Sequence, residues 1–249
     1  MKTTQRRKQR QAARQQIGAE VRKEQVAHLH RQQVWDLPTR ASHWAIIILF
    51  LVQILSSQFS LLTSSWHLWA GYLLLMVLLF RFGWGLVGSQ SARFAPMIGD
   101  LRQLPAYLPI LFSTRPTRWP GHNPVGTLSS LLLLFLLLVS SVSGLFIESW
   151  AEVRGPLAER VGRGTSLFMG DLHGLVRWPL YLLVVIHILA VLSYLVFKRE
   201  DRITPIFAHG RILVRQPRDT TLQSNWRAAL VLMACIALVL AIVFLGPIA

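Results

Sequence analysis

The chain has 249 residues, 53% of them hydrophobic and only 15% charged, with a mean hydropathy of +0.44. This composition excludes an ordinary soluble domain, whose surface needs more polar sequence, and places the chain among membrane proteins. The formal net charge of +15 would suit a nucleic-acid binder, but its placement along the chain argues for membrane topology instead.

Residues Met1–Gln33 are rich in Gln, Arg and Lys and poor in apolar side chains, the composition of a disordered or surface-lying arm. No apolar run with a small-residue cleavage site follows the first charges, so a signal peptide is not expected. Five stretches then approach the ~20 apolar residues that cross a bilayer: Trp44–Leu62, His67–Val87, Val125–Ile147, His173–Phe197 and Trp226–Leu245. The third has no charged residue between Arg118 and Glu148. Arg81 marks the second as the one charge set well inside a span.

Ten of the 26 Lys and Arg lie between Lys2 and Arg40, four between Arg93 and Arg118, and six between Lys198 and Arg218. The short loop Thr63–Trp66 has none, and Glu148–Leu172 balances three Arg with four acids. Positive-inside bias therefore puts the N-terminus and the basic loops in the cytoplasm, and five spans put the C-terminus on the other side. The single cysteine, Cys235 in the fifth span, excludes an internal disulfide, a Cys-ligated iron–sulfur cluster and covalent c-type haem attachment.

Four histidines lie within or at the edges of these apolar segments. His173 and His187 are fourteen residues apart on one segment. That spacing is about 40° short of four helical turns and ~21 Å along the axis, most of the hydrocarbon thickness. His43 opens the first span at the cytoplasmic side and His67 opens the second at the far side. Depth alone then pairs His67 with His173 and His43 with His187. A neutral imidazole is a good axial ligand to haem iron, and an unpartnered histidine in lipid is costly. Two bis-histidine haems, one above the other, are the expected cofactors. Gly71, one turn after His67, would let a porphyrin approach, although helix packing accounts for such a glycine equally well. Arg40 and Arg81 are candidates to pair with haem propionates, with snorkelling to the cytoplasmic headgroups as the rival reading of Arg81.

Other signals carry less. Gly83, Gly85 and Gly88 satisfy G-x-G-x-x-G but end an apolar helix and follow no strand. His28, His30 and His209 lie in basic segments and are expected to be solvated. The nine tryptophans gather near span ends, as in an aromatic belt.

The motifs Trp35-Asp-Leu-Pro-Thr-Arg-Ala-Ser-His43-Trp, His67-Leu-Trp-Ala-Gly-Tyr and Arg81-Phe-Gly-Trp-Gly-Leu-Val-Gly88 resemble those of the bacterial-type cytochrome b561 and nickel-hydrogenase cytochrome b subunit family. Gly121-His-Asn-Pro-Val-Gly126, Leu172-His-Gly-Leu, Ile186-His-Ile-Leu-Ala and Lys198-Arg-Glu extend the match over about Val34–Arg211. His122 in the fourth motif reads as part of a turn set by Pro124 and Gly126. The resemblance implies a four-helix di-haem core carrying electrons between quinone and a redox partner, a c-type cytochrome or a hydrogenase-like oxidoreductase. Its ligand positions fall on His43, His67, His173 and His187.

The sequence thus describes an all-α integral membrane protein of the bacterial inner membrane. It has a basic arm (1–33), a four-helix haem-binding bundle (34–211), and a linker with a fifth transmembrane helix (212–249). An electron carrier or quinone-linked subunit is favoured over a stand-alone enzyme, with lipid as its surroundings, no nucleic-acid partner and homo-oligomers left open. A histidine-lined transporter and a purely structural membrane anchor are the alternatives. The five spans contain no Asp or Glu for an ion pathway.

Overall fold

A computed structural model describes residues 16, 30–59, 61–113, 122–148, 154–214 and 221–245. Most of the basic arm, including His28, lies outside these residues, as do Trp119 and Gly121. Five helices are long and apolar enough to cross a membrane: α1 (Leu37–Ser57), α2 (Ser64–Val87), α5 (Pro124–Gly144), α6 (Arg163–Val196) and α7 (Asn225–Leu240, continued by a π-helical turn over Ala241–Leu245). Two short helices, α3 (Phe94–Leu101) and α4 (Leu104–Leu111), occupy the loop between α2 and α5. A two-stranded antiparallel sheet joins β1 (His30–Gln33) to β2 (Arg211–Val214), with Gln33 opposite Arg211. The final four residues of the arm are therefore ordered as a strand.

The helices start where capping chemistry places them, ahead of the apolar runs. Asp36 caps α1, its Oδ1 accepting from Thr39 N at 2.8 Å, and Pro38 sits in the first turn. His43 is consequently the seventh residue of its helix instead of its opening. Asn123 caps α5 by accepting from Gly126 N at 2.7 Å, with Pro124 at the first position, which is the turn expected there. The largest difference is in α6, which begins ten residues before His173 and runs for 34 residues. At ~1.5 Å per residue it is ~51 Å long against a ~30 Å hydrocarbon layer. His173 thus stands about a third of the way along, and the helix projects beyond the apolar zone.

Helix α2 is the centre of the bundle. Its span is 56% buried, whereas the other four are 11–17% buried and turn most of their surface outward. On one side Leu74 and Leu78 pack with Leu134, Leu137 and Leu180 from α5 and α6. On another, Phe80 and Trp84 receive Ala228 and Cys235 of α7. A side chain at Gly83 would come within 2.8 Å of Val231, so this glycine sets how closely α7 approaches. The end of the bundle bearing His67 and His173 is termed the outer end, and that bearing His43 and His187 the inner end.

At the inner end the segments before α1 and after α6 close into a cap. Val34 N and Trp35 N both donate to Gly210 O, at 2.8 and 2.9 Å. Gly210 has a φ of +69°, and a Cβ there would meet the Trp35 carbonyl. Buried Asp36 also accepts from Trp84 Nε1 at 2.9 Å, so one carboxylate joins the start of α1 to the end of α2. Asp36→Ala removes a cap and a charge-assisted bond together and is expected to destabilise the fold by about 2–4 kcal/mol. Trp84→Phe removes only the second bond and should cost less. Thermal unfolding in detergent, followed by circular dichroism, checks both the size and the order of these losses.

Candidate functional site

At the outer end His67, in the first turn of α2, and His173, on α6, face one another with ring centroids 6.2 Å apart and planes at 76°. Their hydrogen bonds fix which nitrogen carries the proton. His173 Nδ1 lies 2.8 Å from the Ser140 carbonyl, which only accepts, so Nδ1 is the donor; Ser143 Oγ is 3.3 Å away. His67 Nδ1 lies 3.2 Å from Ser56 Oγ, whose own hydrogen goes to Val52 O at 2.7 Å, so Nδ1 again donates. An imidazole protonated at Nδ1 has its lone pair on Nε2, the form a metal requires. Two metal–nitrogen bonds of ~2 Å, with about 1 Å from each nitrogen to its ring centre, would set two axial imidazoles about 6 Å apart. The residues present therefore fit a bis-histidine iron.

Neighbouring residues hold this arrangement. Gln53 Nε2 donates to His67 O at 3.0 Å, tying α1 to the start of α2. A Cβ on Gly71 would lie 3.3 Å from the same amide, so Gly71 serves the α1–α2 contact. A Cβ on Gly144 would lie 3.4 Å from His173 Cε1. Arg177, one turn after His173, is a second cation within a span that the sequence reading passed over. Its Nε is buried without a hydrogen-bond partner, and its guanidinium lies 5.0 Å over Trp178. Its place four residues from a histidine in an apolar run was the available signal.

At the inner end His43, on α1, lies within the electrostatic reach of His187 and Arg81. Its ring stands edge-on to Phe207, centroids 6.4 Å apart, and its buried Nδ1 has no hydrogen-bond partner. Arg81 is 6% exposed and stays inside the bundle: it donates to Ala92 O at 3.1 Å and lies 5.6 Å over Phe94 instead of snorkelling outward. Arg40 donates to Ile206 O at 3.2 Å and to Ala208 O, which fixes the turn carrying Phe207. Two of its donors therefore serve the cap. His122 does more than complete a turn: it stacks edge-on against Trp35 at 4.6 Å. Burial first, then the charge of Arg81 and the fields of His187, His43 and Arg202, hold its pKa down to about 3. His30 and His209 are exposed, as expected.

Beyond His187 on the same face of α6, Tyr194 shares a 2.5 Å hydrogen bond with Tyr107 and accepts from Asn123 at 2.8 Å. Among the described residues no group of three or more His, Cys, Asp or Glu is gathered as a metal cage. His67 and His173 face one another directly, while at the inner end His43 and His187 lie within each other's field and His122 within the field of both.

A helical membrane bundle with imidazoles facing each other across its helices is the architecture of a membrane cytochrome b. The family model for prokaryotic cytochrome b561 matches residues 34–209, and the chain belongs to that family, whose members bind haem b and transfer electrons in membranes. No curated protein matches the chain, and no solved structure does. The match ends before α7, which lies outside it.

The folded pKa of His122 is below the ~6.5 of an unfolded histidine, so on acidification the unfolded chain takes up this proton first. Its contribution is full above pH ~6.5 and is lost as pH falls toward 3. His122→Asn should therefore lose less thermal stability than the parent between about pH 7 and about pH 5, as checked by melting curves at each pH.

Proposed function

We propose that the chain binds two haem b groups without covalent attachment and carries electrons through the membrane between the quinone pool and a redox partner, a c-type cytochrome or a hydrogenase-like oxidoreductase. The observation that carries this reading is the outer pair: two imidazoles with ring centroids 6.2 Å apart, each with Nδ1 at hydrogen-bonding distance of an oxygen on a neighbouring helix. His67 and His173 would hold the outer group, and His43 and His187 the inner one. When bound, haem supplies reversible one-electron chemistry. The residues around it do the rest. Arg177 and Arg81 set one cation beside each pair, where a propionate needs one in a low dielectric. Leu74, Leu78, Leu134, Leu137 and Leu180 fill the core of the bundle and keep water from it. Quinone would meet the inner edge, near Arg81 and Arg40. The membrane is the bacterial inner membrane, with the N-terminus and inner end cytoplasmic and the C-terminus periplasmic.

The haem-loaded protein is expected to contain two haems per chain by pyridine haemochrome assay and to show sharp reduced α and β bands. A haem-free transporter or anchor would show neither. His67→Ala and His173→Ala should each remove the same haem, and the double variant little more, because either loss opens the same iron. His43→Ala and His187→Ala should do likewise for the other. Redox-resolved spectra of membranes check the pattern, and loss of one haem by His67 and His187 together would overturn it. Sidedness is tested separately: a C-terminal alkaline phosphatase fusion should be active and a C-terminal green fluorescent protein dark.

A further inference from the structure

The two pairs differ in one respect that the symmetry of four histidines conceals. Both outer imidazoles donate from Nδ1, His173 to a backbone carbonyl at 2.8 Å and His67 to Ser56 Oγ at 3.2 Å. At the inner pair neither ring makes a hydrogen bond among the described residues. His43 Nδ1 is buried and unpartnered, and the ring perpendicular to it, Phe207, is apolar. One turn earlier Thr39 Oγ1 is also buried without a partner, and the Thr39 carbonyl is taken by Ser42 Oγ at 2.9 Å.

This difference acts on the metal through the ligand. An imidazole whose N–H is drawn toward an acceptor becomes a more electron-rich donor at its other nitrogen, which favours the ferric over the ferrous ion. An imidazole with no acceptor is a weaker donor and leaves the ferrous state relatively better stabilised. The arginines do not reverse the order: Arg177 near the outer pair is half-buried, whereas Arg81 near the inner pair is buried, and the more buried cation favours the ferrous state there. We infer that Ser56 and the Ser140 carbonyl, assisted by Ser143, set the outer site to a lower midpoint potential than the inner site. With haem held at both ends, an electron on the outer iron would pass to the inner one spontaneously, the outer going from ferrous to ferric and the inner from ferric to ferrous with no bond formed or broken. The loaded bundle would thereby favour one direction, from the outer end to the inner. Ser56, Ser140 and Ser143 are positioning residues, acting through His67 and His173.

The inference rests on the two-haem reading, and the experiment separates the two. In the full-length, haem-loaded protein in detergent, haem content is measured first; fewer than two haems per chain overturns both. With two present, a spectroscopic redox titration is expected to show two midpoints, the lower vanishing in His67→Ala and the higher in His43→Ala. The opposite assignment, or a single shared midpoint, overturns the inference and leaves the reading intact. Ser56→Ala combined with Ser143→Ala should move the lower midpoint upward, toward the higher one, and leave the higher where it is. Ser56→Thr, which keeps a hydroxyl, should restore most of the shift. An unmoved lower midpoint in the alanine variants, with haem content unchanged, would also overturn the inference. Should those variants fail to fold, the assignment by His67→Ala and His43→Ala decides it alone.

Discussion

A polar group inside hydrocarbon has no water to bind, and that single constraint orders this molecule. Many of the buried polar side chains find their partners on a neighbouring element. Asp36 answers the Trp84 indole, Ala92 O answers Arg81, and Ser140 O and Ser56 Oγ answer the outer imidazoles. Tyr107, Tyr194 and Asn123 satisfy one another at the inner end. These bonds run between helices whose apolar surfaces have no preference of their own for one register over another, since lipid is as apolar as leucine. The polar contacts therefore specify which helix stands beside which, and the leucines fill the space so defined.

The exceptions are informative for the same reason. Among the described residues, Thr39 Oγ1, His43 Nδ1, Gln53 Oε1, Thr127 Oγ1, Ser129 Oγ and Arg177 Nε are buried without partners, and two of them, on His43 and Arg177, belong to the histidine tiers. An unsatisfied N–H or lone pair in this setting costs on the order of 1–3 kcal/mol. At His43 and Arg177 a bound anionic, metal-bearing ligand would remove that cost.

Much of the architecture was legible in the sequence because lipid imposes long apolar runs, and histidines stand out within them. The five spans and the meeting of His67 with His173 follow from hydropathy, helical rise and charge bias. What was not legible depends on contacts far apart in sequence. The strand pairing of His30–Gln33 with Arg211–Val214 has no local signature on either side. Nor does the approach of Phe207 to His43, which needs Arg40 to hold the intervening turn. Helix ends were misplaced at α1 and α6 because hydropathy registers the membrane and not the caps: Asp36 and Gly162 start these helices well before the apolar zone. Arg177 was missed because one charge near the end of a span changes mean hydropathy very little.

Helix α6 carries one member of each histidine pair on a single continuous rod of 34 residues. Pro179, between them, withholds one N–H from the ladder and permits a bend, but the helix is not interrupted. A sliding motion of α6 along its axis would therefore be felt at both ends at once, by His173 facing His67 of α2 and by His187 within the field of His43 on α1. The register chosen where His173 meets the Ser140 carbonyl is transmitted, turn by turn, to the opposite side of the membrane. The two tiers are gauged against each other by the length of one helix, and neither is free to settle alone.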